Sequence, residues 1–530
     1  MKLKNVILST FLLSAPGMFG VNPYLPLWEH IPDGEPYLFD DPDSPGKKRV
    51  YIYGSHDTER TGYCGRDLVV WSASPDSLNH WRYDGVIFES LYDANGKLLN
   101  ENGKGDVLFA PDIAVKTLPD GRKEYYLYPN VQHGDRGALI AKSDRPDGPF
   151  KACNWDSANP AAAVGVLGFD PAVFVDDDGR VYGYWGFGES YGAELDPATM
   201  ATPKPGSEPL RLLSGFQEDG PDRFYEASSI RKIDDKYVLI FSRWSADGEW
   251  GLPGSNYTLA YAYSDNPLGP FTYGGTIIDA RGRDTDADGK TIVTATPNGN
   301  THGSILKTGD QWWVFYHRQN GDNEYARQAM VAPIEVTVTP GPGGKVEISE
   351  GEYTSEGFEI TGLNPFTPYP AAIASHYTGP TPAYQEYPKV HYSGPWSRPL
   401  YSDTPDMADP YALEANLSQV VNVTAGSTLG YKYYNFDGLK KVKKPVLELT
   451  LIPEGIEGRV KVYASAPWKD ETALLGEANL PVTSKGVKTR LSIPLSGLRK
   501  LSGKHPLYLV FDSPEKDRQL CVIESLVFKR

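Results

Sequence analysis

The stretch FDPAVFVDDDGRVYGYWG, residues 169–186, decides the fold. It opens on an acid, Asp170, runs through small and apolar residues, crosses a polar gap, and ends in a strand rich in Tyr, Trp and Val. Toward the N-terminus the same unit recurs as Asp112-Ile-Ala-Val with EYYLYPN (124–130), and as Asp33-Gly-Glu-Pro-Tyr-Leu-Phe with RVYIYGS (49–55). Toward the C-terminus it recurs as Glu226-Ala-Ser-Ser-Ile with KYVLIFS (236–242), and as His302-Gly-Ser-Ile-Leu with QWWVFYHR (311–318). The five starts lie 56 to 79 residues apart, room for about four short strands each. A second repeat runs in step: SASPDSLNHW (72–81), SDRPDGPF (143–150) and SDNPLGPF (264–271), each a strand end, a turn and an aromatic plug. Four-stranded sheets repeated about an axis make a β-propeller, whose radial closure leaves no long exposed edge. Solenoid repeats are usually shorter and more regular. The expectation is an all-β chain whose residues 22–350 form a five-bladed β-propeller.

The rest of the sequence fits around that ring. Its 54 Gly and 44 Pro are spread without a G-X-Y period, and 34 Tyr, 19 Phe and 11 Trp suit many short strands. A net charge of −16 disfavours nucleic acid and anionic lipid as partners. Cys64, Cys153 and Cys521 are too few for a disulfide framework and show no metal-ligand spacing. Residues 1–20 read as a signal peptide: Lys2 and Lys4, an apolar Val6 to Leu13, then Ser14, Ala15, Gly17 and Gly20, with cleavage between Ala15 and Val21. The apolar run is too short to anchor the chain across a bilayer, so a periplasmic or secreted protein without a membrane span is expected. Residues 351–409 are rich in Pro, Tyr and Ser and read as a linker wrapping the domains. Residues 410–530 alternate apolar and polar in runs such as PVLELTLI (445–452) and RVKVYAS (459–465), the pattern of a β-sandwich of jelly-roll type.

The innermost strand of a blade lines the central channel, so equivalent positions of the five units converge. Here they hold Asp33, Asp112, Asp170, Glu226 and His302. One such acid is ordinary at a strand start. Four carboxyls and an imidazole facing one cavity must shift one another's proton affinities, and buried charge is rarely kept without partners. That chemistry suits glycoside hydrolysis, in which one carboxylic acid protonates the leaving oxygen and a carboxylate activates water from the opposite face. Neighbouring negative charge keeps the acid protonated near neutral pH. Trp71, Trp185, Tyr225 and Trp244 are candidates to stack on a sugar ring, and Asp170 and Arg327 to bind its hydroxyls.

Five motifs in order, NPYLPLWEHIPDGEP with VYIYGSHD (22–57), LFAPDI (108–113), FDPAVF (169–174), FYEASSI (224–230) and NTHGSI (300–305), resemble glycoside hydrolase family 43. These are five-bladed propeller hydrolases of arabinose- and xylose-containing polysaccharides. The resemblance implies Asp33 as general base, Asp112 as the residue that tunes the acid's pKa, and Glu226 as general acid. Where the family reads Asp-Pro, this chain reads Asp33-Gly34-Glu35-Pro36, so Glu35 is the rival base. His302 corresponds to an axial histidine and is the candidate contact to Ca²⁺, direct or through water; no other cofactor is implied. The C-terminal region resembles a family 6 type carbohydrate-binding module through GYKYYNF (430–436) and HPLYLVFDS (505–513). The implied activity is an inverting exo-hydrolase acting on oligo- or polysaccharide, foremost an α-L-arabinofuranosidase, with β-D-xylosidase and β-D-galactofuranosidase as alternatives. The acid and base carboxyls of such an enzyme are expected about 6.5–9.5 Å apart. A propeller that binds sugar without catalysis would have lost one of the acid positions.

Overall fold

The computed structural model describes residues 20–132, 134–295, 299–319, 324–380, 394–401 and 409–530. The signal peptide expected at the start therefore lies almost wholly outside the described residues. Five antiparallel sheets follow in chain order. Blade 1 is Glu35–Asp40, Lys48–Tyr53, Asp67–Ser74 and Ser77–Glu89. Blade 2 runs from Asp112–Thr117 to Lys151–Ala152, blade 3 from Ala172–Val175 to Leu210–Arg211, and blade 4 from Phe224–Ile233 to Thr272–Asp279. Each is a four-stranded meander in sequence order, as the spacing of the repeats predicts.

Blade 5 has only three strands in its sheet: Ser304–Thr308, Gln311–Gln319 and Arg327–Ile334. The N-terminal segment closes it. The Asn22 side-chain amide donates to the Val331 carbonyl at 2.7 Å and accepts from the Val331 N–H at 2.9 Å, and the Tyr24 N–H donates to Ala329 O at 3.2 Å. Buried apolar side chains fill the gaps between blades. Tyr182, Leu239 and Phe241 pack blade 3 on blade 4, and Ile240, Val314 and Met330 pack blade 4 on blade 5.

The C-terminal sandwich has two antiparallel sheets. One is ordered Trp396–Ser397, Val420–Val423, Cys521–Lys529, Val446–Pro453, Thr489–Pro494, and the other His376–Thr378, Thr428–Asn435, Lys504–Asp512, Arg459–Tyr463, Leu474–Asn479. Strict alternation puts Leu447, Leu449 and Leu451 inward against Val460, Val462, Leu507 and Leu509 of the facing sheet. The expected linker boundary at 409 is too late. Tyr369–Pro370, His376–Thr378 and Trp396–Ser397 are strands of this sandwich, and Leu363, Tyr369, Ile373 and Tyr377 sit in its core. Strands of two or three residues are too short to show an alternation among prolines. Cys64, Cys153 and Cys521 are free thiols, and no helix among the described residues is long and apolar enough to cross a membrane.

Candidate active site

The axis side chains fall into two layers, set by where each sits relative to its inner strand. Asp33, Asp170 and His302 stand two residues before the first strand residue of blades 1, 3 and 5. Asp33 and Asp170 take left-handed backbone, φ 59° and 49°, which turns each carboxylate onto the axis. Glu226 lies inside its strand between two β-bulges, with the following Ala227 at φ 68°. Gly303 allows His302 to approach blade 5, because a Cβ there would lie 1.9 Å from the Phe315 carbonyl oxygen. These residues line one cavity of about 430 Å³, together with Tyr225, Trp244, Phe187, Asn300 and Arg327.

Asp112 does not line it, and this corrects the sequence reading. Asp112 is the first residue of its strand, so Ala110 occupies the position equivalent to Asp33 and Asp170. A displacement of two residues keeps the same strand face but moves the side chain about 6–7 Å along the channel. Glu35, the first residue of its own strand, is likewise in the deeper layer. There Tyr37 Oη donates to Asp112 Oδ1 at 2.6 Å, the Val173 N–H donates to Asp112 Oδ2 at 2.7 Å, and Arg231 Nη2 donates to Glu35 Oε2 at 2.8 Å. Burial pushes the Glu35 carboxyl up to about 8, despite Arg231, with the Asp112 charge adding to the rise.

In the upper layer the environments separate the carboxyls. Burial alone would raise Asp33, but the Arg327 guanidinium, 3.1 and 3.2 Å from its two oxygens, and the Ser55 hydroxyl hold it below the ordinary range. Arg327 is itself fixed by a two-point grip on Asp57 at 2.8 and 2.9 Å. Among the described residues the Glu226 carboxyl has one weak polar partner, Asn300 Nδ2 at 3.4 Å; burial and the Asp33 charge push it up to about 7. Asp170 is raised well above the carboxylate range, first by burial and then by the charges of Glu226 and Asp33. It accepts from Asn130 Nδ2 at 2.9 Å and from the Ala227 N–H, beside Glu226, at 3.1 Å. The carboxyl beside Glu226 is thus Asp170, expected from the sequence to bind sugar, and not Asp112.

Two of the four expected aromatic platforms are present. Tyr225 and Trp244 line the cavity with ring centroids 5.2 Å apart, and Phe187 meets Tyr225 at 5.1 Å. Trp71 is instead a core residue of blade 1 whose Nε1 donates to Glu29 Oε2 at 2.8 Å. Trp185 packs in the core between blades 2 and 3 and stacks on Tyr191. Both stand on middle strands, whose side chains face neighbouring blades rather than the axis. Phe109, Phe169 and Asn300 were missed. An aromatic residue precedes the axial position three times, as Phe109-Ala110, Phe169-Asp170 and Tyr225-Glu226, and that dipeptide repeat was the available signal.

His302 stands 3.8 Å from Asp170 Oδ2 and 4.0 Å from Glu35 Oε1, and burial lowers its pKa to about 4. Among the described residues neither its Nε2 nor Glu35 Oε1, both buried, has a hydrogen-bond partner. Ca²⁺ takes six to eight oxygen ligands. One imidazole flanked by two carboxylates already engaged, Glu35 with Arg231 and Asp170 with Asn130 and the Ala227 N–H, does not fit that requirement, and no group of three His, Cys, Asp or Glu among the described residues could hold a metal.

Comparison with known proteins matches residues 38–338 to "Glycosyl hydrolases family 43". A "Xylosidase/arabinosidase" of Thermoclostridium stercorarium is 31% identical, covering 92% of this chain and 95% of its own. An "Arabinoxylan arabinofuranohydrolase" of Paenibacillus polymyxa is 26% identical, covering 92% and 71%. A crystal structure of a glycoside hydrolase family 43 arabinoxylan arabinofuranohydrolase from Bacillus subtilis, in complex with cellotetraose, aligns at 19% identity and TM-score 0.44, covering 95% of this chain and 96% of that one.

Proposed function

This chain belongs to glycosyl hydrolase family 43, and from that premise we propose that it is an inverting, exo-acting α-L-arabinofuranosidase of plant polysaccharide side chains. One observation carries the mechanism: a single cavity holds a carboxylate kept ionised, Asp33, and a carboxyl kept protonated to near neutrality, Glu226. Environments that push two such groups apart assign base and acid. Glu226 gives its proton to the glycosidic oxygen as the bond to the anomeric carbon breaks. Asp33 takes a proton from the water whose oxygen bonds to that carbon from the other face. Arg327 holds Asp33 as the anion before this step. The two carboxyls are linked through Arg327 and Asn300. Glu35, turned to Arg231 in the deeper layer, is a poor candidate for the base.

The names of the relatives, one for both xylosidase and arabinosidase and one for arabinoxylan arabinofuranohydrolase, support arabinofuranose first and xylose second. The test is a panel of nitrophenyl α-L-arabinofuranoside, β-D-xylopyranoside and β-D-galactofuranoside, followed by NMR of the first sugar released. The highest kcat/KM is expected on the arabinofuranoside, with inverted anomeric configuration. Preference for the xylopyranoside would favour the second reading, and retention would overturn the mechanism.

The basic start of the chain and its apolar run support export, where a polymeric substrate would be met. Capture of polysaccharide by the sandwich would not rest on Trp468. Trp468 is the one tryptophan of residues 410–530, and its Nε1 donates to Thr285 O of the propeller at 2.7 Å.

Asp170 enters as the coupled neighbour of the acid, its carboxyl raised well above the ordinary range by burial and then by the Glu226 charge. It therefore stays protonated while Glu226 titrates near pH 7. Asp170→Asn, a neutral stand-in, should leave the basic limb of the kcat/KM profile near pH 7, as should Asp112→Asn one layer deeper. A basic limb moved to lower pH in Asp170→Asn would show that Asp170 carries charge while Glu226 still holds its proton.

A further inference from the structure

Resting on the roles just proposed, we infer that the C-terminal sandwich is a positioning element of the catalytic cavity, and that it acts through Arg318. The hairpin of blade 5 lies between the catalytic cavity and the sandwich. Gln311–Gln319 and Arg327–Ile334 pair antiparallel, with Arg318 opposite Gln328 and Gln319 opposite Arg327. Side chains alternate across a strand. One face of the hairpin therefore carries His317, Gln319 and Arg327, and the other carries Arg318 and Gln328.

The first face builds the site. His317 Nδ1 accepts from the Asp33 N–H at 3.2 Å, so its Nε2 carries the proton and donates to Asn300 O at 2.9 Å. Gln319 Nε2 donates to the same carbonyl at 3.1 Å. The His317 pKa is lowered to about 3 by burial, which keeps this neutral tautomer across the working pH range. His317 thus fixes the backbone of the base and the backbone of Asn300, whose side chain meets both Glu226 and Arg327.

The second face is held by the sandwich. Arg318 is 2% exposed. Its Nη2 donates to Ala372 O at 2.7 Å and its Nη1 to Ala374 O at 3.0 Å, both in the segment leading into the sandwich strand His376–Thr378. Nε and Nη2 also donate to Gln328 Oε1, at 3.2 and 3.0 Å. These acceptors are all neutral, so two sandwich carbonyls supply much of the solvation that a buried guanidinium needs. A second tie runs alongside: the Tyr377 N–H donates to Thr294 O at 2.6 Å. Fixing the back of a two-stranded hairpin fixes its front. A displacement near 1 Å at a catalytic group can cost about 10²-fold in rate.

The test uses the full-length protein and the aryl glycoside on which it is most active. Arg318→Lys keeps the charge, but its side chain is one atom shorter and lacks the fixed fork that reaches both carbonyls. It is expected to lower kcat by about 10- to 100-fold with KM changed less than about twofold. Asn300 lowers the Glu226 pKa, so a loosened Asn300 should also move the basic limb upward in pH. Arg318→Met, with the charge removed, should show the same pattern more strongly. If it does not fold, the lysine variant decides. Trp468→Ala disturbs the same domain interface at Thr285 and His376 without touching Arg318 or its two carbonyl partners, and should cost stability while keeping kcat within about twofold. A folded Arg318→Lys with wild-type kcat and pH profile overturns the inference, as does an equal fall of kcat in Trp468→Ala. Glu226→Gln run in parallel separates the two layers of the argument. If the basic limb survives there, the assignment of Glu226 fails, while the fall of kcat in Arg318→Lys still reports the sandwich's hold on the site.

Discussion

Asp33→Ala is expected to depress turnover by about 10²–10⁴-fold on every substrate, activated or natural, because the attacking water must lose a proton whatever group departs. The fold should survive. Arg327 keeps its two-point grip on Asp57 and its contact with the Tyr63 ring, so the guanidinium is not left as an unpaired buried charge. The acid limb of the pH profile should vanish with the residue, since Asp33 is the one upper-layer carboxyl held below the ordinary range. Steady-state rates on a nitrophenyl glycoside and on an arabinoxylan oligosaccharide, each across pH, measure this. A residual activity that differs strongly between the two substrates would mean that Asp33 does not serve the water. Glu35→Gln is the companion variant. If it loses as much as Asp33→Ala, the base lies in the deeper layer.

The removal of a charge from this cavity also acts on what remains. Asp33 raises the affinity of both Asp170 and Glu226 for protons only while it is ionised. In Asp33→Ala the two remaining carboxyls should titrate lower, so the basic limb of the residual activity should move toward acid. The rate loss and the limb shift therefore come from one substitution but report two separate physical effects, nucleophile activation and electrostatic field.

The ring was legible because each blade must repeat the same compromise: an inner strand that meets the axis, and middle strands buried on both faces. Repetition made Asp33, Asp170, Glu226 and His302 visible as equivalents. It hid the depth of Asp112, because a two-residue shift along a strand leaves the side chain on the same face and changes only its level. Trp71 and Trp185 misled for a related reason. A tryptophan on a middle strand and one at a cavity mouth look alike in sequence, and only the strand's place in the blade tells them apart. The electrostatics of the base could not be read at all. Arg327 is 294 residues from Asp33 and 270 from Asp57, and no local pattern records that three side chains so far apart share one hydrogen-bonded cluster. The sandwich's short strands at 369–378 were lost among prolines, and with them the grip on Arg318 that ties the two domains together.

Glu226→Ala gives the second large effect, and it differs in kind. A general acid works only on the leaving group. A sugar alcohol leaves poorly as an alkoxide, whereas a nitrophenolate is stable at neutral pH without a proton. Activity on arabinoxylan oligosaccharide should therefore fall by about 10²–10⁴-fold, and activity on a nitrophenyl glycoside distinctly less. Across a series of aryl glycosides, log kcat should become steeply dependent on the leaving phenol's pKa in the variant and remain shallow in the wild type. The basic limb near pH 7 should disappear for the activated substrates, because the group that titrates there is gone. The Ala side chain leaves the Ala227 N–H on Asp170 and the aromatic wall of Tyr225 and Trp244 intact, so KM on the aryl glycoside should change little. If Glu226→Ala and Asp33→Ala show the same dependence on leaving group, neither role stands as assigned, because a lost base slows good and poor leaving groups alike while a lost acid cannot.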